Sequence, residues 1–243
     1  MKKRKTAAVV LAAGQGKRMG TETAKQYLLL DGKPVLYYAL EAFENSEVDT
    51  VVLVTGKDEI EYCKEEIVQR FGFAKIKSVV AGGKERYHSV ACGLRALKET
   101  GEEYGVVMIH DGARPFVSPE MISKLIGETI KKEACVIGTP VKDTIKIAGE
   151  DGCCEQTPPR DRVWAVQTPQ SFMFEVVYSA YEKLLEKEEE LLTRGIRVTD
   201  DAMVVEQMTD RKVYLVEGDY TNIKLTTPED LVISEAFLKK RKK

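Results

Sequence analysis

TAAVVLAAGQGKRMGTETAKQY, from Thr6 to Tyr27, joins a continuous apolar run to three glycines, two cations and a further lysine. Thr6 to Ala13 shows no polar alternation, which predicts a strand covered on both faces, as in a parallel sheet. A glycine-rich turn directly after such a strand predicts anion binding, because unshielded backbone N–H groups can approach a phosphate closely. A Walker loop needs GxxxxGK[ST], and no such string occurs. A dinucleotide fingerprint needs GxGxxG followed by an acidic residue at the end of the second strand. Here Gly14, Gly16 and Gly20 make GxGxxxG, and the second strand ends ambiguously in VTGKDE, so the spacing argues against a dehydrogenase. A third reading uses the charges. Arg18 and, seven residues later, Lys25 offer two cations and backbone donors to one polyphosphate. Attack on a nucleoside triphosphate needs that, since charge builds on a five-coordinate phosphorus and on the departing pyrophosphate. On spacing alone, a solvated basic loop remains open beside it.

Outward from this stretch, short β-rich runs alternate with amphipathic segments. Strands are expected at Val48 to Thr55, Ile76 to Gly83, Tyr104 to Asp111 and Ala134 to Val141. Helices are expected at Pro34 to Asn45, Glu59 to Phe71, Arg86 to Glu99 and Pro119 to Lys132. Strict alternation predicts an α/β, Rossmann-like, doubly wound and mostly parallel sheet. Ligands of such sheets sit beyond the carboxyl ends of the strands, so Gly14 to Gly20, Gly82-Gly83 and His110 to Pro115 should converge. The alternation breaks at Lys142 to Gln167, where a DG turn flanked by alternating residues predicts a protruding β-hairpin arm, 142–167, within a single domain spanning 1–243. Beyond it, helices are expected at Phe174 to Thr193, Asp200 to Met208 and Pro228 to Leu238, with a strand at RKVYLVEG.

Composition narrows the function classes. The chain has 243 residues, 43% of them hydrophobic, enough for one sizeable domain with its own core. Lys and Arg number 37 against 39 Asp and Glu, which leaves no bulk field to attract nucleic acid or a membrane surface. The basic ends, Lys2 to Lys5 and Lys239 to Lys243, read as solvated tails. Five cysteines, with Cys153-Cys154 adjacent, match neither a disulfide framework nor CxxC metal spacing. With no signal-peptide pattern and no apolar run approaching the ~20 residues that span a bilayer, a cytoplasmic location is expected.

The string L-A-A-G-x-G-x-R-M-G followed by K-Q-Y resembles the opening signature of the sugar-nucleotidyltransferase superfamily. HDGARPF, PVKDT, QTPQSF, VTDDA and NIKLTTPEDL follow in order. Together they resemble the 2-C-methyl-D-erythritol 4-phosphate cytidylyltransferase family from Val9 to about Leu238. The resemblance implies joining of CTP to methylerythritol phosphate with release of pyrophosphate, using Mg²⁺. It implies that Ala12, Ala13, Gly14 and Gly16 wrap the CTP phosphates, and that Arg18 and Lys25 stabilise the transition state at the α-phosphate. Gly82, Gly83 and Ser89 match the segment around the cytosine and ribose. Asp111, with Gly112 after it, is placed for a Mg²⁺ shared with the phosphates; the plainer reading is a turn or cap aspartate. His110 should face the other way, since neighbouring strand residues alternate. Arg114, Thr144, Arg160, Thr168, Thr199 and Lys224 match the second-substrate positions. Family resemblance also implies a homodimer, in which the arm carries Thr144 and Arg160 into the neighbouring subunit's site. A ribitol 5-phosphate cytidylyltransferase and a catalytically silent nucleotide-binding regulator are the rival readings.

Overall fold

A computed structural model of the chain describes residues 4–14 and 24–241. The expected strand after the amino terminus is β1, Lys5–Ala12, whose central residues Ala7 to Val10 are wholly buried. A two-stranded ribbon, β2 (Leu29–Leu30) and β3 (Lys33–Pro34), leads into α1, Val35–Glu44, with Pro34 at the N-cap rather than inside the first turn. Strand β4 is Thr50–Thr55. Helix α2 begins at Ile60–Tyr62 and continues with π-helical bonding over Cys63–Gln69. Strand β5 is Ile76–Ala81, α3 Arg86–Glu99, β6 Tyr104–Asp111, α4 Pro119–Lys132 and β7 Ala134–Pro140.

The hairpin expected after β7 is β8 (Ile147–Ala148) paired antiparallel with β9 (Cys154–Gln156). It is shorter than the segment 142–167. Its return leads into β10, Trp164–Met173, so Trp164 to Gln167 already lie on a strand of the central sheet. Helix α5, Phe174–Glu186, breaks at Lys187 before α6, Glu188–Thr193, where one continuous helix was expected. Helix α7 (Asp201–Met208), β11 (Tyr214–Glu217) and α8 (Pro228–Arg241) complete the chain.

Among the described residues, seven strands form one sheet in the order β11-β7-β10-β6-β1-β4-β5. All run parallel except β10, which pairs antiparallel with both β6 and β7. The chain winds outward from β1 through β4 to β5, then returns to place β6 on the other side of β1. That reversal is the topological switch point at which open α/β sheets bind ligands. Alternate residues of β1 serve the two faces. Ala7 and Val9 pack with α3, α5 and α7, while Ala8 and Val10 pack with α1, α2 and α4. Each fully buried valine or leucine stabilises by roughly 1.5–3 kcal/mol, which makes β1 the buried centre of the sheet.

Candidate active site

At the carboxyl ends of β1, β5 and β6 lies an open cavity of about 590 Å³. Ala12, Ala13 and Gly14 line it from the end of β1 and just beyond, Gly83 from the β5–α3 connection, Ser89 from α3, Asp111 from β6, and Lys25 and Lys224 from two further segments. The three strand ends therefore converge as their shared polarity requires. Gly16 and Arg18 lie outside the described residues. Gln26, buried beside Lys25, donates through Nε2 to the carbonyl of Ala12 at 2.6 Å and ties the lysine segment to the end of β1.

The glycine pair has a steric role. A Cβ on Gly82 would lie 2.6 Å from Ser89 Oγ and 2.7 Å from the Ala13 Cβ, and one on Gly83 would overlap the His88 Cβ. Gly82 donates its amide to the Thr55 carbonyl (2.8 Å), and Gly83 donates to Ser89 Oγ (3.1 Å). Gly112 is equally confined: its amide donates to the Leu11 carbonyl at 2.8 Å, and a Cβ there would stand 2.7 Å from Leu36 Cδ1. Glycine here answers a close approach of β6 to β1.

Asp111 is the electrostatic centre. Lys224 Nζ lies 2.6 Å from its Oδ2, and Arg86 Nε 3.2 Å from its Oδ1. Burial alone would push the Asp111 carboxyl up, but Arg86 and then Lys224 hold it well below the usual carboxylate range, so it is ionised. Arg86 is itself gripped from behind by Asp201, through a two-pronged pair at 2.8 Å each, and Asp201 is fully buried. The Tyr181 hydroxyl donates to the same carboxylate. Arg86 and Asp201 escaped the sequence reading. Asp200 and Asp201 stand together at the start of α7, and the pattern shows only that one of them should cap. Asp200 does so, accepting from the Met203 amide, which leaves Asp201 free to turn inward.

His110 faces away from the cavity, as alternation predicts. Its Nε2 meets the Arg114 carbonyl (3.1 Å) and its Nδ1 the Thr168 hydroxyl (3.2 Å), while burial pushes its pKa down to about 4. Thr168 also accepts the Asp111 amide (3.0 Å) and so stands directly behind the aspartate. Arg114 is mostly buried and donates to the Asn222 carbonyl at 2.7 Å. Lys224 is placed by its neighbour, since the buried Leu225 donates its amide to the Ala113 carbonyl. The remaining expected residues are not lining groups of this cavity. Thr144 and Arg160 are exposed on the arm segment, with Arg160 Nη1 3.3 Å from the Lys142 carbonyl, and Thr199 is exposed ahead of α7.

The model of the 2-C-methyl-D-erythritol 4-phosphate cytidylyltransferase family matches residues 6–240. The chain belongs to this family. An enzyme of that name from Lachnoclostridium phytofermentans is 49% identical over 235 residues, 97% of each chain. One from Geobacter metallireducens is 46% identical, covering 96% of this chain and 97% of the relative. The crystal structure of the 4-diphosphocytidyl-2C-methyl-D-erythritol synthase from Anaerococcus prevotii superposes with a TM-score of 0.83 at 35% identity, covering 97% of this chain and 96% of that one. Family membership and superposition thus bear out the Rossmann-like sheet expected from the alternation of elements.

Proposed function

We propose that the cavity at the switch point is where this chain carries out cytidylyl transfer. As a family member, the chain is a CTP-dependent cytidylyltransferase. It joins CTP and 2-C-methyl-D-erythritol 4-phosphate, giving 4-diphosphocytidyl-2-C-methyl-D-erythritol and pyrophosphate in non-mevalonate isoprenoid synthesis. The observation that supports this cavity is its lining: Lys25 and Lys224 stand with Asp111 beside the glycine-walled slot at Gly83 and Ser89. The second pKa of a phosphate monoester is near ~6, so the attacking oxygen is already largely ionised at neutral pH. No general base is needed. That oxygen forms a bond to the α-phosphorus as the bond to the bridging β-phosphate oxygen breaks, and the electron pair leaves with pyrophosphate. In this reading Lys25 and Arg18 offset the charge gathering at the α-phosphorus. The amides of Ala12, Ala13, Gly14 and Gly16 hold the phosphates, and Gly82, Gly83, Ser89 and Gly112 shape the nucleotide slot. Arg114, Thr199 and Lys224 take the second substrate, and Thr168 supports the site from behind Asp111.

A divalent cation fits the donors present. Asp111 and Glu85 are the carboxylates among the described lining residues, which include no imidazole or thiol; Asp111, ionised at a strand end, meets Lys224 and Arg86, cationic partners whose place a divalent ion would take. Asp111 would hold Mg²⁺, which would neutralise charge on the triphosphate oxygens. The reading includes a homodimer in which the arm delivers Thr144 and Arg160 to the neighbouring site. In support, Ile145, Ile147, Val166 and Tyr220 are 37–46% exposed at the arm and its base, an apolar surface suited to a second copy. No helix among the described residues is long and apolar enough to cross a membrane. The reading places the enzyme in the cytoplasm, with small-molecule substrates and without nucleic acid. The relatives' names favour methylerythritol phosphate over ribitol 5-phosphate as acceptor. The test is pyrophosphate release from CTP and Mg²⁺ with the two acceptors in parallel. Release with methylerythritol 4-phosphate alone is expected, and release only with ribitol 5-phosphate would overturn the acceptor half.

A further inference from the structure

Lys25 sits on a single helical turn, Lys25–Tyr27, whose local backbone support is slight. The Tyr27 amide donates to the Ala24 carbonyl at 2.9 Å, and the Leu28 amide to the Lys25 carbonyl at a long 3.4 Å. So short a turn cannot fix a side chain by itself. Lateral contacts of the two residues that follow Lys25 supplement it. One is the Gln26 bond to Ala12 described above. The other begins at Tyr27, on the side of β4.

The Tyr27 hydroxyl lies 2.8 Å from Thr55 Oγ1, 3.2 Å from Glu59 Oε2 and 3.1 Å from Cys63 Sγ. Glu59 Oε2 also accepts from the Thr55 hydroxyl and the Gly56 amide, each at 3.0 Å. The edge of the Tyr27 ring meets Tyr62, with centroids 5.2 Å apart. Thr55 is fully buried at the carboxyl end of β4, and its carbonyl receives the Gly82 amide. One residue at a strand end thus grips two walls of the cavity: its hydroxyl meets the turn that carries Lys25, and its carbonyl meets the glycine pair.

We propose that Tyr27 is a positioning residue for Lys25, its hydroxyl docking the lysine turn onto the Thr55–Glu59 cluster at the end of β4. The inference rests on the reading of Lys25 as a transition-state group. A group needed only in the transition state is sensitive to small displacements, so loosening its turn should lower kcat while leaving CTP binding nearly intact. An apolar packing role for Tyr27 would instead reside in its ring, which phenylalanine retains.

The test is a double-mutant cycle on kcat with Tyr27→Phe, Lys25→Ala and the pair, with CTP affinity and thermal unfolding measured on each. Tyr27→Phe should lower kcat about tenfold and change the KM for CTP less than about twofold. In the Lys25→Ala background it should have less than about a twofold effect, because the group it positions is gone. Thr55→Val, which removes a different hydroxyl of the cluster, should behave the same way and stands in if Tyr27→Phe folds poorly. A Tyr27→Phe enzyme within about twofold of wild type, or a tenfold loss repeated in full without Lys25, would overturn the proposal. Lys25→Ala alone separates the two ideas: a near-wild-type rate there removes the premise about Lys25, whereas a large loss with an additive Tyr27 effect removes only the positioning role.

Discussion

Asp111, Arg86 and Asp201 form a chain of charges that runs from the cavity into the core, and each link has a different exposure. Asp201 is fully buried, whereas the Arg86 side chain is 29% exposed. Removing one partner of such a pair leaves the other charge without compensation, which typically costs more than the pair contributes. Asp201→Asn should therefore destabilise the fold by about 3 kcal/mol, towards the low end because Arg86 keeps Asp111 and some water. Denaturant unfolding checks this, and a loss below about 1 kcal/mol would mean that the pair is weakly coupled to folding. At this scale the sequence was partly legible. Lys25, Asp111 and Lys224 could be named because strand polarity and motif order place them. Arg86 and Asp201 could not, because a charged residue at the start of a helix looks the same in sequence whether it faces water or a buried partner. Thr168 was named for substrate contact, yet in the structure its hydroxyl meets the Asp111 amide and His110.

The element that most directly shapes the proposed nucleotide slot is the β5–α3 connection. Gly82 meets Ser89 on one side and Ala13 on the other, so a methyl group there must displace either the slot or the loop after β1. Gly82→Ala should raise the KM for CTP about tenfold while lowering kcat less, since the loss falls on a contact made equally in ground and transition states. Steady-state kinetics with CTP varied would show it, and an unchanged KM would move the nucleotide away from this connection. Among elements, α3, β6 and α4 run over the same residues expected from the pattern. β10 was missed. Pro169 interrupts its pattern, and proline argues against an inner strand because it lacks a donor. The strand accommodates it at a register shift between Val166 and Gln170, where pairing to β7 lapses. Local propensity cannot foresee that compensation, nor the antiparallel return that places β10 between β6 and β7.

At the scale of the whole molecule, the structure separates the proposed second-substrate residues into two groups. Lys224 lines the cavity and Arg114 lies just behind Asp111, whereas Thr144 and Arg160 stand out on the arm segment. A twofold dimer in which each arm completes the neighbouring site would reunite them. Two inactive chains should then repair each other. Lys25→Ala and Arg160→Ala subunits, co-expressed with different tags, should form mixed dimers holding one intact site. Random pairing would restore about a quarter of wild-type activity, because half the dimers are mixed and each has one working site of two. Activity no higher than the average of the two parent variants would contradict arm sharing. The doubly wound sheet was readable from alternation alone, since strands buried on both faces and amphipathic helices admit few arrangements. The proposed interface between copies rests on a weaker trace, a few exposed apolar side chains at the arm.

The most direct test of the central claim, that this cavity performs the transfer, is the turnover number of Lys25→Ala for pyrophosphate release with CTP, Mg²⁺ and methylerythritol 4-phosphate, in protein shown to be folded. A fall of about a hundredfold or more, with CTP still bound, is the predicted result for a group that stabilises charge at the α-phosphorus. Turnover within about tenfold of wild type would contradict the claim and place the chemistry elsewhere.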